Sequence, residues 1–185
     1  MLKFACFFHD IGKVLTAKNG YKNHDKIGAE IFRDGIGPQL SLGKSATDFV
    51  SYLIRHHLDV VKLYFMKKEG SLKKEDINFF WYRHKEMALY LFLLTYADVY
   101  ATSEDDEFLK QLSLFVIYLQ EYYFDFYRKN IVEQPLLTGR EIMEILNIPP
   151  SPVVGRAKEL LMQQQISGKI KTKEEAIEFL KSITL

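Results

Sequence analysis

The stretch Phe7-Phe8-His9-Asp10-Ile11-Gly12-Lys13 sets an imidazole beside a carboxylate at the end of an apolar run. Together they offer a nitrogen and an oxygen to one divalent cation, and such mixed ligation suits Mn, Fe, Ni, Co or Zn better than a purely hard site. One His-Asp pair arises easily by chance, so the rest of the chain must supply partners. The histidines are His9, His24, His56, His57 and His84, four of them within the first sixty residues. Asp98 lies inside the apolar run Leu93-Leu94-Thr95-Tyr96-Ala97-Asp98-Val99, where an ionised carboxylate is costly unless it is paired or binds a cation. The clustering points to one polar pocket; a capped or ion-paired core aspartate is the alternative for Asp98.

The elements that must position these groups are helices. Apolar residues recur three and four apart almost everywhere, and alternating runs bounded by hairpin turns are scarce, which predicts an all-α fold. The spacing predicts helices over 2–10, 24–33, 45–57, 76–82, 85–101, 105–132, 140–146, 153–165 and 173–181. Ser103 with Asp106, Thr138 with Glu141 and Thr172 with Glu175 have capping-box spacing, and Ser151-Pro152 sets a cap before a first-turn proline. Pro135 and the pair Pro149-Pro150 lack the amide donor a helix needs, so a boundary is expected near 133–137. That divides the chain into a main domain, 1–134, and a small helical module, 135–185, with turns at Gly139 and Gly168.

Composition narrows the partners. The 185 residues carry a formal charge of +1, so nucleic-acid contact must rest on local patches. The single cysteine, Cys6, excludes an internal disulfide and points to a reducing compartment, by default the cytoplasm. The apolar N-terminus ends in His-Asp rather than in a small-residue cleavage site. The longest apolar stretch, Ala88 to Ala97, is about half the ~20 residues a membrane span needs, so no membrane role is expected.

Two stretches could meet RNA. Between Lys62 and Lys85, seven basic residues face three acidic ones. Lys67, Lys68, Lys73 and Lys74 interleave there with Tyr64, Phe65, Phe79, Phe80, Trp81 and Tyr82, a pattern suited to phosphate neutralisation and base stacking. A solvated loop over core aromatics is the alternative. The aromatic run from Phe108 to Tyr127 reads foremost as a packed helix. Arg156, Lys158, Lys169, Lys171 and Lys173 make a second candidate surface, diluted by Glu159, Glu174 and Glu175.

The series His9-Asp10, His24 ahead of Gly28-Ala29, His56-His57 and Asp98 resembles the HD superfamily of metal-dependent phosphohydrolases across about one hundred residues. The resemblance implies an all-helical bundle in which His9, Asp10 and Asp98 hold a divalent metal, with His24 as a further candidate ligand. It also implies that His24, His56 and His57 line the phosphate side. Asp10, Lys13, His56 and His57 become the catalytic candidates, with Lys13 at the mouth as a phosphate-binding cation. The family's first histidine lies on a helix well upstream of the pair, and only eight residues precede His9 here. Either the chain is the back portion of a longer polypeptide, or the module has kept the fold without catalysis.

The tail adds a second resemblance. Leu136-Leu137-Thr138-Gly139-Arg140-Glu141-Ile142-Met143, Pro150-Ser151-Pro152-Val153-Val154-Gly155 and Gly168-Lys169-Ile170-Lys171-Thr172-Lys173-Glu174-Glu175-Ala176 are similar to the C-terminal region of bacterial tRNA nucleotidyltransferases. These CCA-adding enzymes and their poly(A) polymerase relatives commonly carry an HD domain before that region. Glu141 stands where the family usually has Asp, and Ser151 where it usually has Gly. The Gly-Ser motif and paired carboxylates of the polymerising head are not in this sequence. The resemblance therefore implies an RNA-binding body and tail acting on the 3′ end of tRNA or RNA, beside a nucleotidyltransferase head in a longer chain or separate subunit. A standalone HD phosphohydrolase, such as a nucleotide phosphatase or 2′,3′-cyclic phosphodiesterase, is the alternative. An inactive HD scaffold is the third.

Overall fold

The computed structural model describes residues 1–183, and all regular structure in them is helical. Helix α1 (Leu2–Phe8) stops at the His-Asp turn; α2 (Lys13–Thr16) and α3 (His24–Ile31) follow, and a π-helical turn (Phe32–Ile36) leads into α4 (Gly37–Gln39). Next come α5 (Lys44–His56), α6 (Asp59–Lys68), α7 (Lys74–His84), α8 (Met87–Thr102) and α9 (Asp106–Tyr122). A second π-helical turn (Tyr123–Tyr127) precedes α10 (Arg128–Asn130), α11 (Gly139–Leu146), α12 (Pro152–Ile166) and α13 (Lys173–Ser182).

The chain forms two compact units, one of residues 1–71 and 84–117, the other of residues 72–83 and 118–185. In the first, α1 packs on α5 and α8, and α3 lies along α5. Ala5, Phe32, Val50, Leu53, Ile54, Leu91 and Leu94 are fully buried between them. These are the inward faces that the three-four spacing requires.

The second unit takes in more than the tail at 135–185. Trp81 donates its indole N–H to the Leu119 carbonyl at 3.2 Å, and the Tyr122 hydroxyl donates to Asn78 at 2.9 Å. Buried Gln165 donates to the carbonyls of Val132 and Gln134 at 3.1 and 2.9 Å and accepts from the Leu136 amide. One side-chain amide thus supplies the backbone partners that the proline-broken linker lacks. Within this unit α11, α12 and α13 enclose a core of Leu137, Ile142, Ala157, Leu161, Ile170, Ala176 and Leu180.

Several local expectations need revision. Helix α6 was not expected: Val60, Val61, Leu63, Tyr64, Phe65 and Met66 spread around its axis, so no one-sided period marks it. The long helix expected over 105–132 is interrupted by the π-helical turn. Thr138 and Thr172 form complete capping boxes with Glu141 and Glu175. Ser103 does not cap α9; the Asp105 carboxylate accepts from the Phe108 amide instead. Ser151 precedes Pro152 without a side-chain capping bond.

Candidate metal centre

Three imidazoles are oriented in the same way. His9, His24 and His57 each place Nδ1 on the carbonyl three residues earlier, Cys6, Tyr21 and Ile54, at 2.8, 2.8 and 2.6 Å. A carbonyl only accepts, so Nδ1 carries the proton and Nε2 of each neutral ring presents a lone pair.

Those lone pairs converge on carboxylates. His9 Nε2 lies 3.4 Å from Asp10 Oδ2 and 3.2 Å from Asp98 Oδ1. His24 Nε2 and His57 Nε2 lie 3.3 and 3.9 Å from Asp10 Oδ1, and 3.2 Å from each other. Asp10 thus turns one oxygen to each side. Lone pairs facing carboxylate oxygens repel unless a proton or a cation lies between them. His9 Nε2 is buried without a hydrogen-bond partner, as is the hydroxyl of Thr95, one turn before Asp98 on α8. Nitrogen and oxygen donors anchored from behind by backbone carbonyls suit a first-row divalent cation. Asp10, His24 and His57 offer donor atoms within 4.8 Å of one another, and His56, Asp59 and His84 form a second such group.

The charges respond to this crowding. Burial opposes protonation of His9, but the Asp98 carboxylate, with the Cys6 carbonyl and the Asp10 charge, holds its pKa above the ordinary imidazole value. His9 in turn holds the Asp98 carboxyl below its usual range. Burial pushes His57 down to about 4, with the charges of His9 and His24 acting in the same direction. Burial would raise Asp59, yet His56 and His84 draw it far below the usual carboxylate range.

Two glycines allow the close approach. A Cβ on Gly12 would lie 2.0 Å from the His24 carbonyl oxygen and 2.6 Å from the Gly28 amide nitrogen. A Cβ on Gly28 would lie 3.1 Å from the Gly12 nitrogen. Only a bare backbone at Gly12 lets α3 rest on the turn after Asp10, with Gly28 a tight second contact, and that approach carries His24 to the carboxylate.

Of the residues singled out by sequence, His9, Asp10, His24, His57 and Asp98 come together. Lys13 lies half exposed beside them, with its ammonium 2.5 Å from Asp10 Oδ2. His56 does not join them. Successive helical residues point about 100° apart, so His57 turns to Asp10 while His56 Nδ1 meets Asp59 Oδ2 at 2.8 Å. His84 Nε2 lies 3.4 Å from the same Asp59 oxygen, and Tyr52 Oη lies 2.7 Å from His84 Nδ1. Asp59 lies on α6, which the apolar spacing does not mark; its place three residues after His56 is the available signal.

The basic residues are exposed. Lys67 and Lys68 end α6, and Lys73 and Lys74 open α7, with Lys74 5.3 Å from the Phe126 ring centroid. Phe80 and Trp81 are buried, which removes them from base stacking, while Phe65 is exposed. In the tail Arg156, Lys158, Lys169 and Lys171 are exposed, whereas the Lys173 ammonium is bound to Glu141. Among the described residues no helix is long and apolar enough to cross a membrane.

A family model for the HD domain matches residues 1–103, the segment holding all five converging groups. This chain belongs to the HD family. The HD chain is also 30% identical to a CC-adding tRNA nucleotidyltransferase of Thermus thermophilus, over 96% of its own length and 39% of the relative's. It is 23% identical to an A-adding tRNA nucleotidyltransferase of Deinococcus radiodurans, over 97% of its own length and 41% of the relative's. A bifunctional uridylyltransferase/uridylyl-removing enzyme of Hydrogenovibrio crunogenus is 35% identical over 57% of the HD chain, which corresponds to 11% of that enzyme. The HD chain thus spans about two fifths of the length of the two tRNA nucleotidyltransferases.

Proposed function

We propose that this chain is the RNA-binding body and tail of a tRNA nucleotidyltransferase-type protein acting at the tRNA 3′ end, with the nucleotide-adding head outside it. One observation carries the reading: the similarity to the CC-adding and A-adding enzymes covers 96–97% of the chain and so runs beyond the HD domain through the tail. A free-standing HD hydrolase would not need that tail. Arg156, Lys158, Lys169 and Lys171 neutralise phosphates of the tRNA body, and Lys67, Lys68, Lys73 and Lys74 supply further contacts. Lys173, tied to Glu141, contributes least. Binding should weaken steeply with salt. At low salt, Arg156→Ala and Lys171→Ala should each reduce tRNA affinity about fivefold and lower the salt slope by about one. Unchanged affinity in both variants would overturn the RNA reading of the tail.

The converging lone pairs favour a second reading, phosphoester hydrolysis in the HD pocket. His9, Asp10 and Asp98, with His24 and His57, would hold a divalent cation, which supplies Lewis-acid polarisation of a phosphoryl oxygen. The backbone carbonyls of Cys6, Tyr21 and Ile54 keep the ligand tautomers correct, and Lys13 offers positive charge to a phosphate at the mouth. Phosphate release or opening of a 2′,3′-cyclic end, assayed with Mg, Mn, Ni and Co, should be lost in His9→Ala and Asp10→Ala. No turnover with any of these ions would remove this reading and leave the first intact.

A further inference from the structure

We propose that His56, Asp59 and His84 form a second divalent-cation site, distinct from the pocket around Asp10 and suited to a first-row ion of the zinc class. The end of α5, the start of α6 and the end of α7 each bring one donor atom, all within 4.8 Å of one another. Two donors about 2.1 Å from a tetrahedral ion lie about 3.4 Å apart. His84 Nε2 and Asp59 Oδ2 already have that separation, 3.4 Å, and His56 Nδ1, at 2.8 Å from the same oxygen, would have to open by about 0.6 Å. Two imidazoles and one carboxylate select zinc, cobalt or nickel over magnesium or calcium.

The surroundings hold the donors in place. Tyr52 Oη, 2.7 Å from His84 Nδ1, can accept its proton and turn Nε2 into a ligand, while the Tyr52 ring packs on His56 at 4.6 Å between centroids. The His84 side chain is 1% exposed, but those of His56 and Asp59 are each 18% exposed, so the group is reachable from solvent, which can supply a fourth ligand. Three protein ligands with one open position is a familiar zinc arrangement. A neighbouring cation, Lys62, lies 3.3 Å from the other Asp59 oxygen. It is more than half exposed and 3.8 Å from Asp25, a carboxylate to which it can move as an ion arrives.

The same four side chains can also be joined by protons alone, with Tyr52 donating to His84 and both imidazoles donating to Asp59. Titration of the metal-free full chain with Co²⁺, followed by visible absorption and equilibrium dialysis, separates the two arrangements. In an Asp10→Ala/His24→Ala background, one equivalent of Co²⁺ should remain bound with the intense bands of tetrahedral ligation, and Zn²⁺ should displace it. Adding His84→Gln should abolish that equivalent, and adding Tyr52→Phe should weaken it about tenfold or more. A background that binds no Co²⁺, or one whose affinity is unchanged by His84→Gln, overturns the proposal. Should a variant fail to fold, imidazole ¹⁵N spectra of the unaltered chain during Zn²⁺ titration decide. Shifts at His56 Nδ1 and His84 Nε2 support the site, and shifts confined to His9, His24 and His57 overturn it.

Discussion

The pocket around Asp10 and the C-terminal tail use ionic groups in opposite ways. In the pocket, residues far apart in sequence are pressed together: His57 is 3% exposed and His9 Nε2 has no hydrogen-bond partner. In the tail, the ionic groups stay at the surface: Glu141 and Glu175 close capping boxes, and the solvent-accessible Lys173–Glu141 pair ties α13 to α11. The pocket is therefore sensitive to a single added atom at Gly12, whereas the tail carries its charges outside an apolar core.

The glycines should show the sharpest contrast. Gly12→Ala forces a Cβ against the α3 backbone and should cost about 3 kcal/mol or more in a denaturant melt, together with loss of metal binding at the pocket. Gly155→Ala, in the interior of α12 with nothing within 4 Å of the added atom, should stabilise by about 0.5–1 kcal/mol. Equal responses would erase the distinction between the two regions.

Acid should separate them as well. His57 is held neutral down to about 4 by burial, whereas the unfolded chain takes up that proton near 6.5. Its contribution is complete above about pH 6.5 and lost as pH falls toward 4, up to about 3 kcal/mol for the metal-free protein. His9, raised in the folded state, acts in the opposite sense: its contribution is complete at low pH and fades as pH rises through the folded value. Comparison with His57→Gln isolates the first effect, since that variant should lose the fall between pH 6.5 and 4. In the tail, Glu141 is brought down to about 2 by Lys173 and the Thr138 bonds, so its contribution holds above about pH 4.5 and disappears only toward pH 2. Chemical-shift titration of the tail should show it intact at pH values where the pocket has already weakened.

The smallest effects belong to the caps. Thr138→Ala and Thr172→Ala should each cost about 1 kcal/mol, because each removes an oxygen that accepts from an N3 amide. Ser151→Ala should change the melting curve little, since Ser151 makes no capping bond.

Much of this was legible before any fold was known. The helical class follows from apolar spacing, which the three-four period reports directly, and the boxes at Thr138 and Thr172 need only residues three apart. Asp98 in its apolar run called for a cation or a proton beside it, and His9 Nε2 lies 3.2 Å away. His56 and His57 face different carboxylates, because adjacency in sequence is divergence on a helix. Asp59 stayed hidden because α6 is apolar around its circumference and carries no periodic signal.

The sequence by itself determined the all-helical class, the capped tail and a set of histidines and aspartates able to meet a cation, because these depend on local spacing and residue chemistry. The tertiary structure decided which of them meet. Gly12 against the α3 backbone, three Nδ1 protons fixed on carbonyls and the turn from His57 to His56 sort one string of histidines into two groups. That sorting depends on distances between helices remote in sequence, which no local pattern encodes.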